Sequence, residues 1–157
     1  MKHRILMILI LITPAFIFAA PPKEEVKLSD EEQAVLDLTN AERKKEKLEP
    51  LTMDPKLLEA ARKHAANMAK QDKLEHKLDD KAANDRVKAE GYVYGRLGEN
   101  IAWNALTPKE VVQGWMDSKP HRENILKKEY TQLGMAVVKN SKGEPYWVQV
   151  FGTPRAK

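Results

Sequence analysis

The sequence predicts one α+β domain in which several helices are layered on a small, mostly antiparallel sheet. Three observations point to this class. The chain has 157 residues, which suits a single domain. Helix start signals, in which a capping side chain precedes acidic residues or proline, recur over the first three quarters of the chain. The last quarter contains two β-rich runs separated by turn-forming residues.

The helices are predicted from their start signals, taken in chain order. Ser29 with Glu32 forms a capping box, in which each side chain bonds the other residue's backbone N–H. Asp54 precedes Pro55, which suits the first helical position, and the residues after it are apolar at helical spacing. Thr107 precedes a proline in the same way. The predicted helices are 30–46, one from Pro55, a shorter one at 81–90, one from Pro108 and a short stretch at 120–126.

The strands are predicted from β-rich runs. Residues 133–138 and 146–151 flank the turn formers of 140–143, which indicates an antiparallel hairpin. Residues 98–103 form a third candidate strand. Trp115, Trp147 and Phe151 are expected in the core. Trp103 is also expected there, with a position near a surface cleft as the alternative.

The N-terminus is typical of a secretory signal peptide. Lys2 and Arg4 give it a basic start, and sixteen uncharged residues follow, ending in small side chains. We predict a signal peptide at 1–19, an N-terminal tether at 20–28 and one domain at 29–157. The protein is then exported, to the periplasm or outside the cell. The alternative is an uncleaved membrane anchor, for which the apolar stretch is short and is interrupted by Pro14.

Composition excludes several classes of protein. The chain has no cysteine, which excludes a disulfide scaffold, a cysteine-ligated metal site and thiol catalysis. The formal charge is +4. Removing residues 1–19 takes away Lys2 and Arg4 and leaves 25 basic against 23 acidic side chains, a charge of +2. That is too small to indicate nucleic-acid binding.

Three side chains are candidates for a shared site. His76 follows the second helix, Glu99 enters the third candidate strand, and His121 lies in the short helical stretch. Their spacing alone does not bring them together. If they converge, two imidazoles and a carboxylate would suit zinc or copper. His64, on the second helix, is interpreted as a structural or surface residue. The short signatures of zinc peptidases, serine hydrolases and nucleotide-binding loops are all absent from the sequence.

Several segments together resemble the CAP superfamily, which comprises cysteine-rich secretory proteins, antigen 5 and plant pathogenesis-related proteins and is also called the SCP domain. The likeness covers roughly residues 36–152. It rests on Asn40-Ala41-Glu42-Arg43, on Gly98-Glu99-Asn100-Ile101-Ala102, on the run from Trp115 to Leu126, on Gly134, and on 146–152.

The resemblance implies a three-layer α-β-α sandwich with a surface cleft lined by two histidines and acidic residues. Position by position, these are His76, Glu99 and His121, and some relatives bind zinc there. Many relatives carry a second Glu where this chain has Ser118. Either Asp117 beside it or a water would then take the fourth ligand position. The other matching residues are interpreted as structural: Asn40 and Arg43 would tie the first helix to neighbouring loops, and Asn100 would satisfy buried backbone groups.

Three functions compete on this evidence. The first is a secreted binding or interaction module whose cleft holds a divalent metal such as zinc and which engages a lipid, sterol, peptide or envelope component. The second is a metal-dependent hydrolase that uses the same cleft, so whether the protein is an enzyme stays open. In the third, the three residues only fix loops by hydrogen bonds. No nucleic-acid partner is expected. Contact with a membrane is expected only if the signal peptide is not cleaved.

Overall fold

The computed structural model describes residues 26–156, so the predicted signal peptide and the first part of the tether lie outside the described residues. Helices and strands are interspersed along the chain, and the last two elements are strands. In order they are α1 (Asp30–Lys45), β1 (Thr52–Met53), α2 (Pro55–Gln71), α3 (Ala83–Ala89), β2 (Tyr94–Trp103), α4 (Pro108–Asp117), α5 (Lys119–Ile125), β3 (Gln132–Lys139) and β4 (Pro145–Pro154).

The helices begin where their capping residues predict. The Ser29 hydroxyl accepts a hydrogen bond from the Glu32 N–H, and the Glu32 carboxylate accepts one from the Ser29 N–H. The Asp54 carboxylate accepts from two backbone N–H groups in the first turn of α2. The Thr107 hydroxyl caps α4 in the same way. These bonds satisfy N–H groups that have no partner inside the helix, so each helix start is fixed locally.

The sheet has the order β1-β3-β4-β2 and is mostly antiparallel, as predicted. Strand β4 pairs antiparallel with both β3 and β2, whereas β1 pairs parallel with β3 over two residues. Strand β1 is not predicted from the sequence, because two residues are too short to show alternation. Strand β2 starts at Tyr94, four residues before the predicted strand, and contains a register shift there.

Alternating side chains of β4 enter two different cores. Trp147 and Phe151 pack with residues of α1, α4 and α5 on one face of the sheet. Val148 and Val150 pack with residues of α2 and α3 on the other face. This period of two places helices on both faces and gives the expected α-β-α sandwich. No helix among residues 26–156 is long and apolar enough to cross a membrane.

Helix α2 lies unusually close to the sheet at one point. A Cβ atom on Gly134 of β3 would fall 2.1 Å from the main-chain carbon of Leu57. Only glycine allows this approach. Because α2 is thereby held against β3 and β4, the end of α2 and the loop after it have a fixed position beside the sheet.

One expectation about the core is wrong. Trp115, Trp147 and Phe151 are buried, but Trp103 is 47% exposed. It is the last residue of β2, which lies at the edge of the sheet, and its ring centroid is 6.4 Å from that of Tyr146. The indole is therefore covered on only part of its surface.

Candidate functional site

Glu99 is the centre of a charged cluster at the middle of β2. Its side chain is only 4% exposed, yet both carboxylate oxygens have partners. Oε1 lies 2.9 Å from Nδ1 of His76, and Oε2 lies 2.5 Å from Nη2 of Arg86. The carboxylate is thus held between an imidazole and a guanidinium.

Arg86 comes from α3 and fixes more than the carboxylate. Its Nη1 donates to the main-chain carbonyls of His76, at 3.1 Å, and Lys81, at 2.8 Å. The same guanidinium therefore holds Glu99 and the loop that carries His76. Sequence reasoning missed Arg86, because nothing in its local pattern separates it from the other charged residues of α3.

The charge of Glu99 follows from these contacts. Burial acts to raise the pKa of Glu99, but the hydrogen bond from His76 and the positive charge of Arg86 outweigh it, so the pKa is lowered. The carboxylate is ionised at neutral pH. The proton of the pair then resides on His76 Nδ1, which donates to Oε1, and Nε2 of this 57% exposed ring faces outward.

His64, on α2, lies near the same carboxylate. Its side chain is 0% exposed, and its Nε2 is 3.9 Å from Glu99 Oε1. Neither ring nitrogen completes a hydrogen bond of good geometry with the residues described, and the backbone group that acts on the ring is that of Glu75. Burial lowers the pKa of His64 to about 4, so the ring is neutral at pH 7. The sequence marks His64 only as a helix residue beside an apolar face, so this position was missed.

His121 lies on the neighbouring helix α5, which side-chain amides fasten to β2. Asn100 Nδ2 donates to the carbonyl of His121 at 3.1 Å, and Asn124 Nδ2 donates to Asn100 Oδ1 at 2.9 Å. Partial burial and the charge of His76 both lower the pKa of His121. The two imidazoles therefore lie within electrostatic range of each other.

The other predicted residues have structural contacts. Asn40 Nδ2 donates to the carbonyl of Leu51 and its Oδ1 accepts from the same residue's N–H. Arg43 is fully buried and donates only to main-chain carbonyls, at Glu49, Ile125, Lys127 and Tyr130. Ser118 joins α4 to α5. Asp117 is exposed and accepts a hydrogen bond from Gln113, one turn earlier on α4.

Within residues 26–156, the structure contains no group of three or more acidic or histidine side chains arranged to hold a metal ion. His76 and Glu99 meet, but the carboxylate faces two N–H donors rather than a space shared with His121. Glu99 does not fit the role of a direct zinc ligand in this arrangement. It does fit the role of a carboxylate that orients a histidine whose other nitrogen binds the metal.

Two cavities lie on either side of the Glu99–Arg86 pair. One, of about 360 Å³, is lined by His76 and Glu99 together with residues of the α3 start and of β2. The other, of about 470 Å³, lies between α2 and α3 and is lined by His64 and Arg86 among others. The first cavity, hereafter the cleft, contains two of the three side chains that the sequence proposes for a shared site.

Comparison with known proteins gives a consistent picture of the family. A family model described as "CAP: Cysteine-rich secretory protein family" matches residues 36–151. The chain is 38% identical over 121 residues to the uncharacterised protein YkwD of Bacillus subtilis, covering 76% of this chain and 46% of that protein. The chain thus spans less than half the length of this curated relative.

Solved structures share the fold. An outer surface protein of Borrelia burgdorferi superposes with a TM-score of 0.76 at 19% identity, over 83% of this chain and 97% of that one. An extracellular SCP-domain protein of Bacillus anthracis superposes with a TM-score of 0.71 at 25% identity, over 82% of this chain and 45% of that one. NaASP2, solved with Zn²⁺, superposes with a TM-score of 0.58 at 17% identity, over 79% of this chain and 80% of that one. The family model, which matches most of the chain, shows that the chain belongs to the CAP family of cysteine-rich secretory proteins.

Proposed function

We propose that this chain is an exported CAP-domain binding module whose cleft engages its ligand through the outward imidazole of His76. The observation that supports this most is the pair of His76 and Glu99. A buried, ionised carboxylate holds the ring by Nδ1, so Nε2 is presented to the cleft in one tautomer and one orientation. Such an arrangement fixes a polar contact before the ligand arrives, which lowers the entropy lost on binding.

The ligand classes that we propose are a lipid, a sterol, a peptide or a component of the cell envelope. Export is supported by the signal-peptide pattern of residues 1–19 and by the structural relatives that are described as extracellular or outer-surface proteins. No contact among residues 26–156 favours one of these ligand classes over the others, so the proposal rests on the cleft and on the family.

A divalent metal is proposed as one species bound by His76 Nε2, beside the cleft rather than wholly within it, because His121 does not line the cleft. His76 Nε2 and the ring of His121 would supply its nitrogen ligands, Glu99 would orient His76, and solvent would complete the shell. Bound zinc would supply Lewis-acid polarisation of a ligand oxygen. Two imidazoles without a third protein ligand make this a weaker site than a three-ligand centre.

A metal-dependent hydrolase is less well supported by the same geometry. That mechanism needs a general base, and Glu99 has both oxygens engaged by N–H donors. Its lowered pKa also makes it a poor proton acceptor near neutral pH. We therefore favour binding over hydrolysis.

Calorimetric titration of Zn²⁺ into the metal-free protein tests the site. We expect binding in the wild type, with His76→Ala and His121→Ala each weakening it at least tenfold, or about 1.4 kcal/mol. Lys77→Ala is the matched control beside His76, and it should bind as the wild type does. Affinity should fall on acidification, because imidazole must be deprotonated to bind a metal.

No zinc binding by a well-folded wild type would remove the metal from the proposal. Lipid vesicles and envelope peptides would then be titrated into the same three variants. If all ligands bind His76→Ala and the wild type equally, the cleft is not the binding site, and the three residues only fix loops.

A further inference from the structure

We propose that His64 is a positioning residue of the cleft: it is the second imidazole beside Oε1 of Glu99, and it donates to Oε1 whenever the bond from His76 is broken. This inference rests on the proposed function, in which a ligand engages His76. It concerns the buried ring on α2, which neither the sequence motifs nor the cleft itself assigns to any role.

Oε1 of Glu99 faces two imidazoles at unequal distances. Nδ1 of His76 is 2.9 Å away, within hydrogen-bond range, and Nε2 of His64 is 3.9 Å away, just outside it. A shift of about 1 Å in the position of Oε1 would exchange one partner for the other. No larger rearrangement of the sheet or of α2 is needed.

Arg86 provides the pivot for that shift. It holds Oε2 at 2.5 Å while two carbonyls hold its own Nη1. Oε2 is therefore fixed, and once the bond from His76 is broken Oε1 can move by a small rotation of the carboxylate about Oε2. The pair of Arg86 and Glu99 survives the exchange, so a charged carboxylate is never left alone in the interior.

The exchange also explains why the polar ring of His64 lies in the protein interior, where an apolar side chain would be more stable. His64 is fully buried, and neither of its ring nitrogens completes a hydrogen bond of good geometry in the described part of the chain, although the backbone of Glu75 lies near the ring. A buried donor without a partner is destabilising, and an apolar side chain of similar volume would avoid that cost. A neutral imidazole at this position supplies one N–H donor to Glu99 without adding a second buried charge.

His76→Ala tests the exchange without any ligand, because it removes the first partner outright. Stability of the wild type, the single variants and the double variants is measured by urea unfolding of the purified protein. His64→Leu removes the buried donor, and His64→Gln keeps an amide N–H. We expect His64→Leu alone to leave the unfolding constant unchanged or lower it.

In the His76→Ala background, His64→Leu should raise the unfolding constant about tenfold beyond the product of the two single effects. His64→Gln should recover most of that loss. His121→Ala is the matched control, since it removes a nearby imidazole that does not bond Glu99, and it should combine with His64→Leu without an excess. The proposal would be overturned if His64→Leu and His64→Gln change the unfolding constant equally in the His76→Ala background. It would also be overturned if the effect of the double variant equals the product of the two single effects.

A spectroscopic readout covers the case in which His64→Leu does not fold. In His76→Ala, the ring N–H of His64 should become slower to exchange with solvent than in the wild type, as seen by NMR of ¹⁵N-histidine-labelled protein. Unchanged exchange would contradict the inference. If zinc binds but the His76 and His64 variants have independent effects on the unfolding constant, only this inference is rejected. If zinc does not bind but the two variants show the excess effect, only the metal site is rejected.

Discussion

Arg86→Met removes the one cation that holds Glu99 in the interior of the described domain. The guanidinium side chain is 9% exposed and makes three hydrogen bonds, to Glu99 and to two carbonyls. Met has a similar length and a high helix propensity, so α3 itself should not be weakened. Breaking a buried ion pair by removing one partner costs about 3–5 kcal/mol. That is a large part of the total stability of a domain, about 5–15 kcal/mol.

Urea unfolding measures this loss directly. With a slope of about 2 kcal/mol per M, the midpoint should fall by about 2 M. Lys142→Met is the control, because Lys142 pairs with Asp72 on the exposed surface. Its midpoint should stay near that of the wild type, since exposed pairs contribute little.

The pH dependence of the Arg86→Met loss gives a second test. In the wild type, the folded-state pKa of Glu99 is lowered, so its contribution is present above the unfolded pKa, about 4.5, and is lost as the pH falls below that value. In the variant, an unpaired Glu99 relieves its burial by taking a proton. The two stabilities should therefore converge toward pH 4. A midpoint change below about 0.5 M at pH 7, or a difference that does not shrink on acidification, would refute this account of the cluster.

Four further outcomes are expected from the contacts of the described residues. The folded pKa of His64, about 4, lies below its unfolded value of about 6.5, so stability should fall by about 2 kcal/mol from pH 7.5 to pH 5, and His64→Leu should flatten that slope in urea unfolding. Arg43→Met should cost at least about 3 kcal/mol in the same assay, because four main-chain carbonyls lose their donor. Gly134→Ala should lower the melting temperature sharply, since its Cβ would strike the backbone of α2. Gly114→Ala, on α4 with open space around it, should instead stabilise by about 0.5–1 kcal/mol.

Local signals in the sequence account for most of the fold. Ser29, Asp54 and Thr107 each cap a helix with their own side chains, so the helix starts depend on residues within one turn. The β3–β4 hairpin likewise depends on two β-rich runs and the turn-forming residues between them. Strand β1 could not be predicted, because its two residues become a strand only by pairing with β3, about 80 positions later in the chain.

The site depends on tertiary contacts and was only partly predictable. Glu99 and His76 are candidates by residue type, but only the family resemblance predicts that they meet, since nothing local brings residues 23 positions apart into contact. Arg86 and His64 were missed, because their roles come from the packing of α3 and α2 around the same carboxylate. The direct-ligand role that we expected for Glu99 does not fit its contacts, since N–H donors occupy both of its oxygens.

The four hydrogen bonds that Arg43 donates affect which surface residues of this domain can be substituted. All of the acceptors are main-chain carbonyls, which every amino acid supplies. The segment from Ile125 to Tyr130 is therefore held without regard to the side chains at its exposed positions, such as Lys127 and Lys128. Those positions are free to diverge among relatives, or to accept a grafted epitope, while the backbone path beneath them stays the same.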